Sequence, residues 1–367
     1  MPRRAVLLTV LAVGLVLHPF AVRAQSNGEI TPQPTFEFHS GFWVNLHHFL
    51  YLQGRLRSSR IPFANSSEPD EATRPEFNSP ASIDGLSPAD LKAWNAAVDL
   101  YANDWSSRNL LLNSEMTIVN NRLAELETCA SLLGKPGEAC TAGLRPELVA
   151  ALDAAAPIYR ARWWPEHDRQ NRAWIAHVDP LVRRFGSALS EALVDAYQRR
   201  WPTDPLRIDI VWYAGPLGSY TSIDPFHATI SSHDSRNQDF AAFEILYHES
   251  SHTLAEGVNQ AIAEECKRRG VPIPRDLWHA IVYYTTGELV RRTLGGTAAQ
   301  ARGQGASAGQ GASRGATARS YIPYANVNGI YDRGWSNYQQ LLVRYWQPYL
   351  DGQMPFDAAI SRIIAAL

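Results

Sequence analysis

Apolar residues recur at helical spacing through most of the chain up to residue 205, and short β-branched and aromatic runs follow. Ser87 before Pro88 is a typical N-cap followed by proline at the first helical position. Asp179-Pro180 predicts a bend or break in the longest periodic stretch. The predicted helices of this region span residues 38–52, 87–104, 110–133, 145–162 and 166–200.

Strands are predicted where the pattern changes. Arg207 to Tyr213 and Phe226 to Ser231 are short and rich in β-branched and aromatic residues, with glycine and proline turns between them. Helical periodicity resumes at Asp239, an N-cap candidate, and final helices are predicted over 331–349 and 356–367. The fold class is therefore mainly α (α+β): a helical region, 25–205, and a region containing a small sheet, 206–367.

Two segments stand apart from this pattern. Met1 to Ala24 has a basic start, an apolar core and Val22-Arg23-Ala24 at its end, which predicts a signal peptide cleaved after Ala24 and an exported protein, periplasmic or extracellular. Its apolar run is too short for a comfortable transmembrane helix, and no other stretch approaches 18 apolar residues. Residues 295–319 are rich in glycine, alanine, serine and glutamine, which predicts a disordered insertion.

Charge and cysteine content narrow the function. The net charge of −2 becomes −5 once the three arginines of the signal segment are removed, because that segment contains no acidic residue. This balance argues against a nucleic-acid partner, which would need a basic surface. Cys129 and Cys140 flank a turn and are predicted to form a disulfide in an oxidising compartment, with two free thiols as the alternative. Cys266 is predicted to be a small buried side chain.

The strongest chemical signal is His248-Glu249-Ser250-Ser251-His252. On a helix, residues four apart lie about 6 Å apart along the axis and on one face, so both imidazoles can reach one ion. Glu249 would then lie beside a water on that ion rather than bind the ion itself. The alternative is that His248 and His252 are hydrogen-bonded core residues.

A zinc ion needs a third protein ligand and one open position. We consider five downstream candidates: Glu256, Glu264, Glu265, His279 and Glu288. A helical hairpin turning near residues 270–273 places Glu288 level with about Ala255, whereas His279 falls about 18 Å from His252. The predicted metal ligands are therefore His248, His252 and Glu288, with Glu249 as the catalytic residue.

The segment resembles the zincin metallopeptidases, and among them the gluzincins, in its HExxH motif, its uncharged flanks and a carboxylate on a following helix. The resemblance implies a Zn²⁺ cofactor, a peptide or protein substrate, and hydrolysis by a zinc-activated water whose proton Glu249 accepts. It also implies a small sheet over the motif helix, with Ala228 to Ser232 along the cleft and His227 nearby. The oxyanion donor remains open among Tyr283, Tyr284, Tyr324, Tyr331, His227 and Arg333.

Two other functions remain open. One is a non-catalytic helical binding protein that retains a zincin scaffold. The other is a zinc amidase acting on cell-wall material. Neither substrate specificity nor oligomeric state is determined by these patterns.

Overall fold

The computed structural model describes residues 33–58, 74–135, 137–303 and 321–367. The predicted signal peptide, 1–24, lies outside the described residues, as does 304–319 of the predicted insertion. The described residues all belong to one compact unit, so the described parts of the predicted regions 25–205 and 206–367 pack together.

Helices form most of the structure, and four short strands form one sheet, which confirms the mainly α (α+β) class. The strands are β1 (Phe36–His39), β2 (Leu206–Val211), β3 (Ser219–Ile223) and β4 (Phe226–Ser231). The helices before β2 are α1 (Phe42–Ser58), α2 (Pro88–Leu100), α3 (Ser114–Glu125), α4 (Pro146–Arg162) and α5 (Trp164–Tyr197). The helices after β4 are α6 (Asp239–Ser251), α7 (Glu256–Arg269), α8 (Leu277–Gly303), α9 (Tyr324–Val327), α10 (Ser336–Leu341), α11 (Gln347–Leu350) and α12 (Phe356–Ala365). None of the described helices is long and apolar enough to cross a membrane.

The sheet has the strand order β1, β2, β4, β3. The first three of these are parallel, and β3 pairs antiparallel with β4 at one end of the sheet. Sequence patterns predicted β2 and β4 but missed β1 and β3. Since β1 precedes α1 and pairs with β2, the sheet connects the predicted helical region to the motif region.

Each face of the sheet covers its own apolar cluster. Ile208, Ile210 and Ile230 pack with α5, α6 and α8, whereas Val211 and Tyr220 pack with α1 and the helices around it. Alternation of side chains along each strand explains the division. Residues of β3 with odd numbers therefore face α6, and residues with even numbers face α1.

Some local features of the chain match the sequence predictions and others do not. The Ser87 hydroxyl caps α2 by accepting from the Asp90 N–H, as expected. Cys129 and Cys140 form a disulfide. The proline at 180 lies inside a continuous 34-residue α5, so the helix is not broken there. The first part of the predicted insertion, 295–303, continues α8 as helix.

Candidate metal centre

The motif helix ends at the motif itself. Helix α6 closes at Ser251, His252 is its C-cap, and α7 begins only at Glu256. Hydroxyl side chains favour this ending, because Ser250 donates to the Leu246 carbonyl at 2.7 Å and Thr253 donates to the Ser250 carbonyl at 2.8 Å. Such side chains compete for the carbonyls that continue a helix. Turns at residues 252–255 therefore interrupt the helix, and α8 packs extensively against α6.

Three imidazoles converge as a result. The Nε2 atoms of His248 and His252 lie 3.5 Å apart, and those of His248 and His279 lie 3.3 Å apart. All three residues have a ligand atom within 4.8 Å of the other two. His248 and His252 come from the end of α6, and His279 comes from the first turn of α8.

The two Nε2 separations measured from His248 fit a tetrahedral metal. A zinc to nitrogen bond of about 2.0 to 2.1 Å corresponds to a spacing of about 3.3 to 3.4 Å between nitrogens at the corners of a tetrahedron. The three rings meet through their Nε2 atoms, and each such nitrogen of a neutral imidazole is either a donor or an acceptor. Three Nε2 atoms therefore cannot all be paired with one another by hydrogen bonds. The donor set is therefore one that zinc would suit.

The rings are also in the protonation state that metal binding needs. Burial lowers the pKa of His252 to about 4 and holds the pKa values of His248 and His279 well below the ordinary range. The mutual repulsion of the rings adds to this effect at His248 and His279. Neutral imidazoles are the form that binds zinc.

Aromatic side chains fix the orientation of the three rings. Tyr283 stacks on His248 with centroids 3.8 Å apart, and Trp278 stacks on His279 at 4.9 Å. Trp335 contacts the His279 ring at 5.6 Å. His248 is almost fully buried, while His252 and His279 are partly exposed, so the centre opens to solvent on their side.

Glu249 lies against the end strand of the sheet. Its side chain is buried, and its Oε2 accepts a hydrogen bond from the Thr221 hydroxyl at 2.6 Å. Burial raises the pKa of Glu249 to about 7, although hydrogen bonds from Ser219 and Thr221 act in the opposite direction. A carboxylate with a pKa near neutrality is suited to general base chemistry.

A second buried glutamate connects α6 to residues that lie beside the metal centre. Glu244, one turn before His248 on α6, accepts from the Tyr321 hydroxyl at 2.6 Å and from the Tyr324 N–H at 3.0 Å. Tyr324 in turn stacks on Tyr283 at 6.3 Å. Glu244 therefore holds α9 and the residues before it beside the three histidines.

This buried carboxyl predicts a pH-dependent stability. Burial raises the pKa of Glu244 to about 7 from its ordinary 4.5, so the folded state favours the protonated form. The contribution of Glu244 to the free energy of unfolding should therefore fall as pH rises from about 5 to 8, by up to about 3 kcal/mol at 1.36 kcal/mol per pKa unit. We expect Glu244→Gln to reduce this fall, measured by urea unfolding at pH 5, 6, 7 and 8. Equal pH dependence in the two proteins would contradict a raised pKa at Glu244. Glu249, whose pKa is raised, and the buried histidines, whose pKa values are lowered, contribute alike to both proteins.

The structure brings His279, rather than Glu288, to the two motif histidines. The hairpin count placed His279 about 18 Å from His252, but the two ring centroids lie 5.1 Å apart, and Nε2 of His279 lies 3.3 Å from Nε2 of His248. Nine residues along α8 separate His279 from Glu288, which is about 14 Å and two and a half turns, so the two face opposite sides. Glu288 instead pairs with Arg291 and Arg292. The count failed because it assumed one straight helix through His252. The hydroxyl residues Ser250, Ser251 and Thr253 were the sequence signal for the break.

The predicted cleft strand also needs correction. Strand β4 lies between β2 and β3, so 228–231 is internal and β3 is the strand at the edge nearest α6. His227 faces the other side of the sheet, where it pairs with Asp209 at 2.8 Å.

The candidate oxyanion donors lie in different parts of the structure, and only some of them lie beside the histidines. Tyr283 lies against His248, and Tyr324 lies against Tyr283. Tyr284 donates to Gln347 at 2.7 Å, and Arg333 donates to the Asn328 carbonyl at 2.6 Å. The structure therefore favours Tyr283 and Tyr324 over these two and over His227.

Comparison with protein-family models, with curated proteins and with solved structures finds no match to this chain.

Proposed function

We propose that this protein is a zinc-dependent metallopeptidase in which His248, His252 and His279 hold the metal and Glu249 is the general base. The observation that carries the proposal is the convergence of three imidazoles. The Nε2 atoms of His252 and His279 lie at the spacing of a tetrahedral ion from Nε2 of His248, and the three ligand atoms lie within 4.8 Å of one another. A buried carboxyl of raised pKa follows directly after the first of these ligands. Three protein ligands leave a fourth position for water or substrate, as in catalytic zinc sites.

Glu249 would transfer the protons of the reaction. Zinc at this centre would polarise the substrate carbonyl and lower the pKa of the attacking water. Glu249 accepts the proton of that water and later delivers it to the leaving amine nitrogen. A pKa near 7 suits both steps, because the group must gain and lose a proton at neutral pH.

An extended peptide suits the surroundings of this centre. The Gly218 carbonyl accepts from the Ser231 N–H, so alternation along β3 directs the backbone groups of Ser219 and Thr221 away from β4. A peptide can add to such an edge through main-chain hydrogen bonds. The likeness of the HExxH segment to zincins supports the same substrate class. The tyrosine that stacks on His248, Tyr283, is our first candidate for stabilising the oxyanion.

Metal removal tests the proposal. We expect the protein lacking residues 1–24 to bind one zinc per chain and to cleave casein or a peptide mixture. Dialysis against 1,10-phenanthroline should abolish cleavage, and one equivalent of zinc should restore it, because the ion supplies the electrophile. Matched dialysis without chelator is the control. Stoichiometric zinc without turnover on any peptide would overturn the peptidase proposal and favour a binding protein.

A further inference from the structure

We propose that Thr221 on β3 is a positioning residue that holds the Glu249 carboxylate beside the metal centre. The inference rests on the proposed function, since it concerns how the general base is oriented. In this proposal the end strand of the sheet, β3, helps to position the groups that react.

The geometry of the contact is specific. The Thr221 hydroxyl lies 2.6 Å from Oε2 of Glu249 and 3.3 Å from the Glu249 main-chain carbonyl. The shorter contact is in the range of a hydroxyl donating to an ionised carboxylate. Both side chains are almost fully buried, Thr221 at 3% and Glu249 at 3% exposed. Water therefore does not compete freely for this contact.

Few other groups restrain the carboxylate. Among the described residues, no arginine, lysine or histidine forms an ion pair with Glu249. Its hydrogen-bond donors are the hydroxyls of Ser219 and Thr221, two residues apart on the face of β3 that meets α6. A carboxylate has two oxygens, so one can be held by the strand while the other accepts a proton.

Strand β3 provides a rigid support. Thr221 is directly opposite Ala228 of β4, in the middle of the antiparallel pair. A β-branched side chain has a restricted χ1, so the hydroxyl is presented in a defined direction. Helix α6 alone would leave the long Glu249 side chain free to rotate, whereas the bond to β3 selects one orientation.

The test compares three variants of the zinc-loaded full protein. Thr221→Val keeps the shape and removes the hydroxyl, Thr221→Ser keeps the hydroxyl, and Thr229→Val makes the same change on the opposite face of the sheet, where Thr229 accepts from Asn120. For Thr221→Val we expect kcat to fall about 10- to 100-fold, the range for one hydrogen bond to a charged group, with KM within about twofold and zinc content unchanged. Thr221→Ser and Thr229→Val should each retain kcat within about threefold. Thr221→Ala, with Thr229→Ala as its control, replaces this comparison if the valine variant does not fold.

The outcomes separate the two proposals. Wild-type kcat in Thr221→Val, together with an inactive Glu249→Gln, would overturn the role of Thr221 and leave the peptidase proposal intact. An inactive wild type with bound zinc would overturn both. Equal losses in Thr221→Val and Thr229→Val would assign the effect to the fold of the sheet and overturn the positioning role. Crystal structures of wild type and Thr221→Val supply a readout independent of activity, in which the Glu249 carboxylate should leave its wild-type position only in the variant.

Discussion

Replacing His279 with alanine should abolish stoichiometric zinc binding, whereas Glu288→Gln should bind zinc like the wild type. His279 supplies one of three converging nitrogens, while Glu288 is neutralised by Arg291 and Arg292 on another face of α8. Loss of an outer-shell partner already weakens metal affinity 10- to 100-fold, so loss of a direct ligand should weaken it by more than about 100-fold. Competition with a chromophoric chelator measures the affinity of each variant.

The pair of variants decides between two ligand sets. Both substitutions lie on the same helix, so circular dichroism and unfolding of the metal-free proteins control for damage to α8. Zinc retained by His279→Ala and lost by Glu288→Gln would restore the ligand set expected from the hairpin count. Zinc retained by both would leave His248 and His252 as the only protein ligands.

The second large effect is expected at Glu249. Glu249→Gln should lower kcat by about 10²- to 10⁴-fold, the contribution typical of a general acid or base, while zinc content stays at one per chain. The amide oxygen of glutamine can still accept from the Thr221 hydroxyl, but the side chain can no longer take a proton. The loss should therefore fall on kcat rather than on binding of metal or substrate. Activity on a fluorogenic peptide derivative and metal analysis of the same sample give the two quantities.

A matched control separates the loss of the base from the loss of a charge. Glu256→Gln makes the same change seven residues later, at an exposed position of α7 where the carboxylate accepts a hydrogen bond from Gln260. It should leave kcat within about twofold. Wild-type activity in Glu249→Gln would remove this carboxylate from the mechanism whether or not zinc is bound.

Local interactions made a large part of this molecule predictable. The cap at Ser87, the boundaries of α4 near 146 and 162, and the disulfide across the turn between Cys129 and Cys140 depend on neighbours in the chain. The pairing of His248 with His252 is of the same kind, because one helical turn brings them together whatever surrounds the helix. Patterns of short range therefore identified the mainly α class and two of the three imidazoles.

Strand β3 could not be predicted from short-range sequence patterns. Its residues, Ser219 to Ile223, include one large aromatic ring and three hydroxyl residues between glycine and proline turns, which looked like a connection. What makes it a strand is its pairing with β4 and its position beside α6. The contact between Thr221 and Glu249, 28 residues apart, follows from that pairing and from no local pattern.

The sequence by itself determined that two histidines and a carboxylate share one turn of helix in a mainly helical protein, because side chains at i and i+4 meet in any α-helix. Only the tertiary structure decided which group joins them. The direction of α8 depends on a turn at residues 252–255 and on packing against α6, and these bring His279 to the centre and carry Glu288 away. A four-residue break in a helix changes the positions of the helices that follow. Counting residues along the chain therefore cannot give the distance between side chains on different helices.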